Sequence, residues 1–144
     1  MFTKILVASD GSGPAVKAAK AAAEIAKAMS ASITVVTVSF VPKAYAGDIS
    51  SAMREGYVDE WQHILDITVH AVERLDVEPK AKLLRGEEPA PAILAELEAG
   101  GYDLLVVGRS GAGGSKMKRT GLTMIGGVSM KLIGNAECAV LLVH

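Results

Sequence analysis

Four short, mostly apolar runs constrain this chain most: Lys4–Ser9 (KILVAS), Ser32–Phe40 (SITVVTVSF), Asp103–Val107 (DLLVV) and Cys138–Val143 (CAVLLV). Runs this short and this continuous mark strands buried on both faces, as in a parallel sheet. The second is also rich in β-branched residues, which suit a pleated surface. Lys80–Leu84 (KAKLL) is a weaker strand whose alternation suggests a sheet edge.

Helical patterns fill the gaps. In Ala15–Met29, Val16, Ala19, Ala23 and Ala26 share one face, with Ile25 and Met29 beside it, and Lys17, Lys20, Glu24 and Lys27 lie opposite. Ser12 or Gly13 can cap this helix, and Pro14 fits its first turn. Ile49–Leu75 places Trp61, Ile64, Leu65, Thr68, Val72 and Leu75 inward and His63, Asp66, His70 and Glu73 outward, with Gly56 a point where it can bend or break. Val41–Asp48, containing Pro42 and Gly47, reads as a loop. A third helix runs from Pro89 to Glu98, with Ile93, Leu94 and Leu97 inward and Gly100-Gly101 as its stop. Val128–Ile133 is a short fourth, ended by Gly134-Asn135. Strands alternating with helices imply an α/β fold: a doubly wound parallel sheet of five strands in three layers. Such sheets bind ligands at the carboxyl ends of strands, where strand order reverses. There stand Asp10 and Gly108.

Between the fourth strand and the last helix lies Gly108–Gly127, GRSGAGGSKMKRTGLTMIGG. Backbone amides approach an anion closely where side chains are missing, and a following helix adds partial positive charge at its start. Lys116, Lys118 and Arg119 supply cations, which either pair with phosphate or are solvated loop charges. The expectation is a phosphate cradle; a plain connecting loop is the alternative.

The chain has 144 residues, half of them apolar, which suits one domain with a real core. A net charge of −1 gives no general nucleic-acid or anionic-membrane surface. One cysteine, Cys138, allows no internal disulfide, and with no signal-peptide pattern at MFTKILVASD a cytoplasmic setting is expected. No apolar run approaches the roughly 20 residues of a membrane span.

Other candidates are weaker. His63, Asp66 and His70 can share a helix face as metal ligands, yet outward polar residues explain them, and no metal site is assigned. Glu87-Glu88 can hold magnesium or favour a helix dipole. Cys138 sits in an apolar strand as an inert thiol, and Met117, Met124 and Met130 fill core gaps or cover a ligand's base. There is neither a GxxxxGK[ST] loop nor a GxSxG elbow, and no catalytic residue is assigned.

The first strand ending in Ser-Asp-Gly-Ser before an alanine-rich helix resembles the universal stress protein family. So do Arg85-Gly86 before a helix and DLLVVGRSG, a glycine loop, then GGVSMKLIGNAECAVLLV. The resemblance covers the whole chain and implies a Rossmann-like sheet in the order 3-2-1-4-5. Nucleotide-binding members carry Gly, two residues, Gly, nine residues, then Gly and Ser or Thr. Gly108 and Gly111 match the first two positions. Gly126 is the better match for the third, which makes the loop longer here and puts Gly127 where the hydroxyl belongs. Thr123, Ser129 or Ser115 can replace that hydroxyl. By resemblance, Asp10 contacts the ribose region or else only caps its turn. The backbone of Val38, Ser39 and Phe40 lines the adenine, and Ala8 and Ser9 form the floor. Gly108, Arg109, Gly111, Gly113, Gly114, Gly126, Gly127, Val128 and Ser129 surround the phosphates. The family implies ATP, ADP or AMP, with or without Mg2+, and a homodimer through Cys138–Val143 that signals to a protein partner. Two alternatives stay open: a dimeric interaction module that binds no nucleotide, and a slow ATPase or phosphotransferase.

Overall fold

The computed structural model describes residues 1–40, 51–109 and 125–144. These residues form β1 (Lys4–Ala8), α1 (Gly13–Met29), β2 (Ser32–Ser39), α2 (Ser51–Glu73), β3 (Lys80–Arg85), α3 (Pro89–Gly100), β4 (Leu104–Gly108), α4 (Gly127–Asn135) and β5 (Ala139–Val143). All strands are parallel, in the order β3-β2-β1-β4-β5. The expected sheet and its strand order are both present. The chain winds outward from β1 through β2 to β3, then returns to the other side of β1 to form β4 and β5. The reversal therefore lies between β1 and β4.

Alternation within each buried strand feeds two cores. Ile5, Val7, Ile33, Val35, Leu104 and Val106 face α1 and α2. Leu6, Val36, Val38, Leu105 and Val107 face α3 and α4, where Ala90, Ile93, Leu97 and Leu132 meet them. The inner strands β1, β2 and β4 are covered twice, which is why their sequences show almost no polar position, while β5 at one edge is only half-buried. β3, at the other edge, is the most open: Lys80, Ala81, Lys82 and Arg85 are exposed.

The inner face of α1 is the expected one at Ala19, Ala23 and Ala26, but it extends over Ala15, Ala18 and Ala22 rather than toward Val16 and Met29. Ala15, Ala18, Ala19, Ala22, Ala23 and Ala26 are buried, Val16 is half-buried and Met29 is exposed. Alanine gives little hydropathy contrast, so the pattern ranked the larger Val16 and Met29 too high. Packing instead turned the narrowest side of the helix to the sheet. The N-terminus of α1 follows expectation: Ser12 Oγ accepts from the Ala15 amide at 3.3 Å, and Pro14 stands in the first turn. The helix α2 passes through Gly56 without a break and buries Leu65, Thr68 and Val72. The loop expected at Val41–Asp48 lies outside the described residues.

Candidate functional site at the carboxyl ends of β1 and β4

The carboxyl end of β1 is held by a chain of hydrogen bonds. The Ser9 amide donates to the Val36 carbonyl at 2.9 Å, continuing the β1–β2 ladder by one residue. Ser9 Oγ accepts from the Gly11 amide at 3.1 Å and lies 2.8 Å from Thr68 Oγ1, while Thr68 Oγ1 donates to the Ile64 carbonyl at 3.2 Å. Each hydroxyl has one proton, and Thr68 has spent its own on Ile64, so Ser9 donates to Thr68. The relay Gly11–Ser9–Thr68–Ile64 ties the β1–α1 turn to α2. Gly11 adopts φ +78°, and a Cβ there would stand 3.0 Å from the Ile64 side chain, so both the turn and the packing call for glycine. Asp10 Oδ1 accepts from the Ser12 amide at 3.0 Å, which is the turn-capping role weighed for it.

The carboxyl end of β4 joins three elements. A Cβ on Gly108 would lie 2.9 Å from the Pro14 carbonyl carbon, so the start of α1 presses on this strand end. The Arg109 amide donates to the Val143 carbonyl at 2.8 Å, and the Arg109 carbonyl accepts from the Gly126 amide at 2.9 Å. Ser129 Oγ, buried, donates to the Gly108 carbonyl at 2.8 Å. These bonds pin the first turn of α4 against β4 at the reversal of strand order. The N-cap of α4 is Gly126, which offers no side-chain cap, and the first intrahelical bond runs from the Met130 amide to the Gly126 carbonyl. The amides of Gly127, Val128 and Ser129 precede that bond, so the helix presents its partial positive end there. Around Gly127 there is open space: a Cβ would meet nothing within 4 Å.

Two of these positions carry more than the sequence revealed. Ser129, a candidate replacement for the missing hydroxyl, uses its proton on Gly108. Arg109 Nη1 lies 2.9 Å from His144 Nδ1. A guanidinium can only donate, so this imidazole nitrogen accepts, and His144 takes part in holding the end of β4. Gly111, Gly113, Gly114, Ser115, Lys116, Lys118, Arg119 and Thr123 lie outside the described residues.

The β2 end completes the rim. Val38 is buried in the α3 core, and the Ser39 carbonyl accepts from the Gly86 amide at 3.3 Å. Phe40 packs on Trp61 of α2, with ring centroids 5.0 Å apart and planes at 39°. Sequence periodicity placed Trp61, Ile64 and Thr68 on an inner helix face. It gave no sign that this face ends over the strand termini.

The other candidates lie elsewhere. Asp66 accepts from Gln62 at 2.9 Å, His70 stands 3.6 Å from Glu73, and the described residues hold no group of three acidic, His or Cys side chains placed for a metal. Glu88 is the N-cap residue of α3 and sits 3.7 Å from Lys131 of α4. Cys138 is half-buried beside a groove of about 550 Å³ between α3 and α4, at the amino ends of β4 and β5, and burial pushes its thiol pKa up. Among the described residues, no helix is long and apolar enough to cross a membrane.

Comparison with known proteins gives a consistent picture. The model of the universal stress protein family matches residues 1–144. Universal stress protein YxiE of Bacillus subtilis is 32% identical over 158 aligned positions, covering 100% of both chains. Universal stress protein MJ0531 of Methanocaldococcus jannaschii is 34% identical over 152 positions, covering 99% of this chain and 82% of its own. Among solved structures, a universal stress protein in complex with cAMP superposes with a TM-score of 0.75 at 22% identity, covering 99% of this chain and 97% of its own. The Archaeoglobus fulgidus protein in complex with dAMP gives 0.72 at 20% identity, with 99% and 98% covered. An Arabidopsis thaliana family protein with AMP bound gives 0.65 at 21% identity, with 98% and 90% covered. The strand order, the glycine-led turn into α4 and the match along its full length all agree: the chain belongs to the universal stress protein family.

Proposed function

We propose that this protein binds an adenine nucleotide in the crevice between the ends of β1 and β4 and acts as a nucleotide-dependent regulator in the cytoplasm. The observation that carries this is the start of α4. It has no side-chain cap, it begins on two glycines, and two hydrogen bonds fix it against the strand end. Amides arranged in this way suit a phosphate group. Three related structures whose names include cAMP, dAMP or AMP support the adenine base. In this proposal Ala8 and Ser9 form the floor, Asp10 meets the ribose, Val38–Phe40 border the base, and Gly108, Arg109 and Gly126–Ser129 with Gly111, Gly113 and Gly114 surround the phosphates. ATP would bring its Mg2+ with it. A homodimer through β5 completes the proposal: the strand lies at a sheet edge, and Val140–Val143 are only half-buried.

Calorimetric titration with AMP and ATP tests this. Saturable binding of either is expected; no heat of binding up to millimolar nucleotide would overturn it. A second member of the same family of functions, a dimeric module that binds no nucleotide, is favoured by one observation: Gly127 has no hydroxyl and that of Ser129 is committed to Gly108. Absorbance at about 260 nm released on denaturing the purified protein separates the two, since a copurified base absorbs there.

A further inference from the structure

We infer that Trp61 is the base-facing wall of this site, a specificity-determining residue that favours a purine; the inference rests on the nucleotide reading above. Trp61, Ile64 and Thr68 stand three and four residues apart on α2, and so form one stripe along the helix. Each member touches the end of a strand or the turn after it. Thr68 bonds Ser9 at the end of β1. Ile64 lies against Gly11, so closely that a Cβ there would come within 3.0 Å. Trp61 packs on Phe40, just past β2, at 5.0 Å between centroids. The helix runs back against the strands, so each step from Thr68 to Trp61 climbs toward and past their carboxyl ends. Trp61 lies furthest toward the start of α2 of the three and meets Phe40, the residue just past the end of β2.

The chemistry of the pair fits this place. Phe40 and Trp61 are both half-buried rather than sealed in either core, and neither belongs to the two buried clusters. Their 39° tilt leaves the two rings splayed, not stacked flat. A large aromatic face held by a neighbouring ring at a ligand rim is a preorganised stacking surface, and every base has a π-face to lay on it. A purine covers more of an indole than a pyrimidine does. Phe40 fixes the indole from the side, while Ile64 and Thr68 anchor the helix turns beneath it.

The chain contains one tryptophan, so its emission reports on this position alone. The experiment titrates wild type, W61A and W61F with AMP and with ribose 5-phosphate, followed by calorimetry, and by emission where the indole remains. The expected result is quenching of wild-type emission by AMP but not by ribose 5-phosphate. W61A should bind AMP about tenfold more weakly with ribose 5-phosphate unchanged, and W61F should recover most of the loss. AMP binding that leaves emission unchanged overturns the inference, as does a W61A protein that binds AMP like wild type or loses both ligands equally. The wild-type emission test holds even if W61A fails to fold. Wild-type protein that binds neither ligand overturns the nucleotide reading itself, and this inference with it.

Discussion

Gly108 illustrates how one position serves packing and site at once. A side chain there would collide with the main chain of Pro14 and Ala15, at 2.9 and 3.0 Å. Main chain at the start of a helix cannot swing aside as a long side chain can. G108A should therefore destabilise the fold by about 1–3 kcal/mol through overpacking, read as a lowered midpoint in thermal unfolding. A loss of ligand binding in this variant would not by itself assign Gly108 to the phosphates. Gly127 is the opposite case, with open space where its Cβ would be. G127S should leave the unfolding midpoint near wild type and tighten AMP binding up to about tenfold, through one added hydrogen bond to phosphate. Calorimetry on the two proteins decides this; equal or weaker affinity would count against Gly127 lying at the phosphate. The two glycines look alike in sequence, because what separates them is a contact with a residue more than ninety positions away.

At the scale of elements, the two ends of the sheet do different work. The carboxyl ends carry the candidate site, and the amino ends are tied down. Asp103, just before β4, accepts from the Thr3 amide at 2.8 Å, the Thr3 hydroxyl at 2.9 Å and the Lys4 amide at 3.0 Å. Backbone donors from Thr3 and then Lys4 hold its carboxyl below the ordinary 3.8. The folded protein thus keeps this carboxylate charged at a pH where the unfolded chain has already taken up the proton. Its contribution to stability is complete above the unfolded value and is lost as pH falls through the folded one. Wild type should exceed D103N in thermal midpoint most at neutral pH, and the gap should close below about pH 4. A gap that is constant with pH would mean the carboxylate charge contributes nothing. The strands β1, β2 and β4 were legible in the sequence because both their faces are buried, and β5 because its run is wholly apolar although it is only half-buried at a sheet edge. β3 was faint because its Lys80, Lys82 and Arg85 lie on an edge. The inward face of α1 was read correctly at Ala19, Ala23 and Ala26, but its extent over Ala15, Ala18 and Ala22 was missed because alanine carries little hydropathy signal. Trp61 was legible as a packed residue and not as a rim residue, since periodicity says which side of α2 points inward but not where along the strands that side ends.

For the whole molecule, the sheet order explains why distant segments meet. The reversal between β1 and β4 brings the start of α1 against Gly108 at the end of β4, and the tie from Ser129 to Gly108 holds the start of α4 to that same strand end. The local chemistry of that meeting place was readable from Asp10, Gly108 and Gly126-Gly127. The relay through Ser9 and Thr68 and the contact of Arg109 with His144 were not, because each depends on which elements become neighbours. The central claim is that bare amides at the start of α4 hold the phosphate of an adenine nucleotide. The most direct test is a two-dimensional amide NMR titration of isotope-labelled protein with AMP. The largest shifts should fall on Gly127, Val128 and Ser129, with Gly11 and Gly108 following at the same AMP concentration. Saturation by AMP that leaves those amides in place, with the shifts gathered instead along the groove between α3 and α4, would contradict the account.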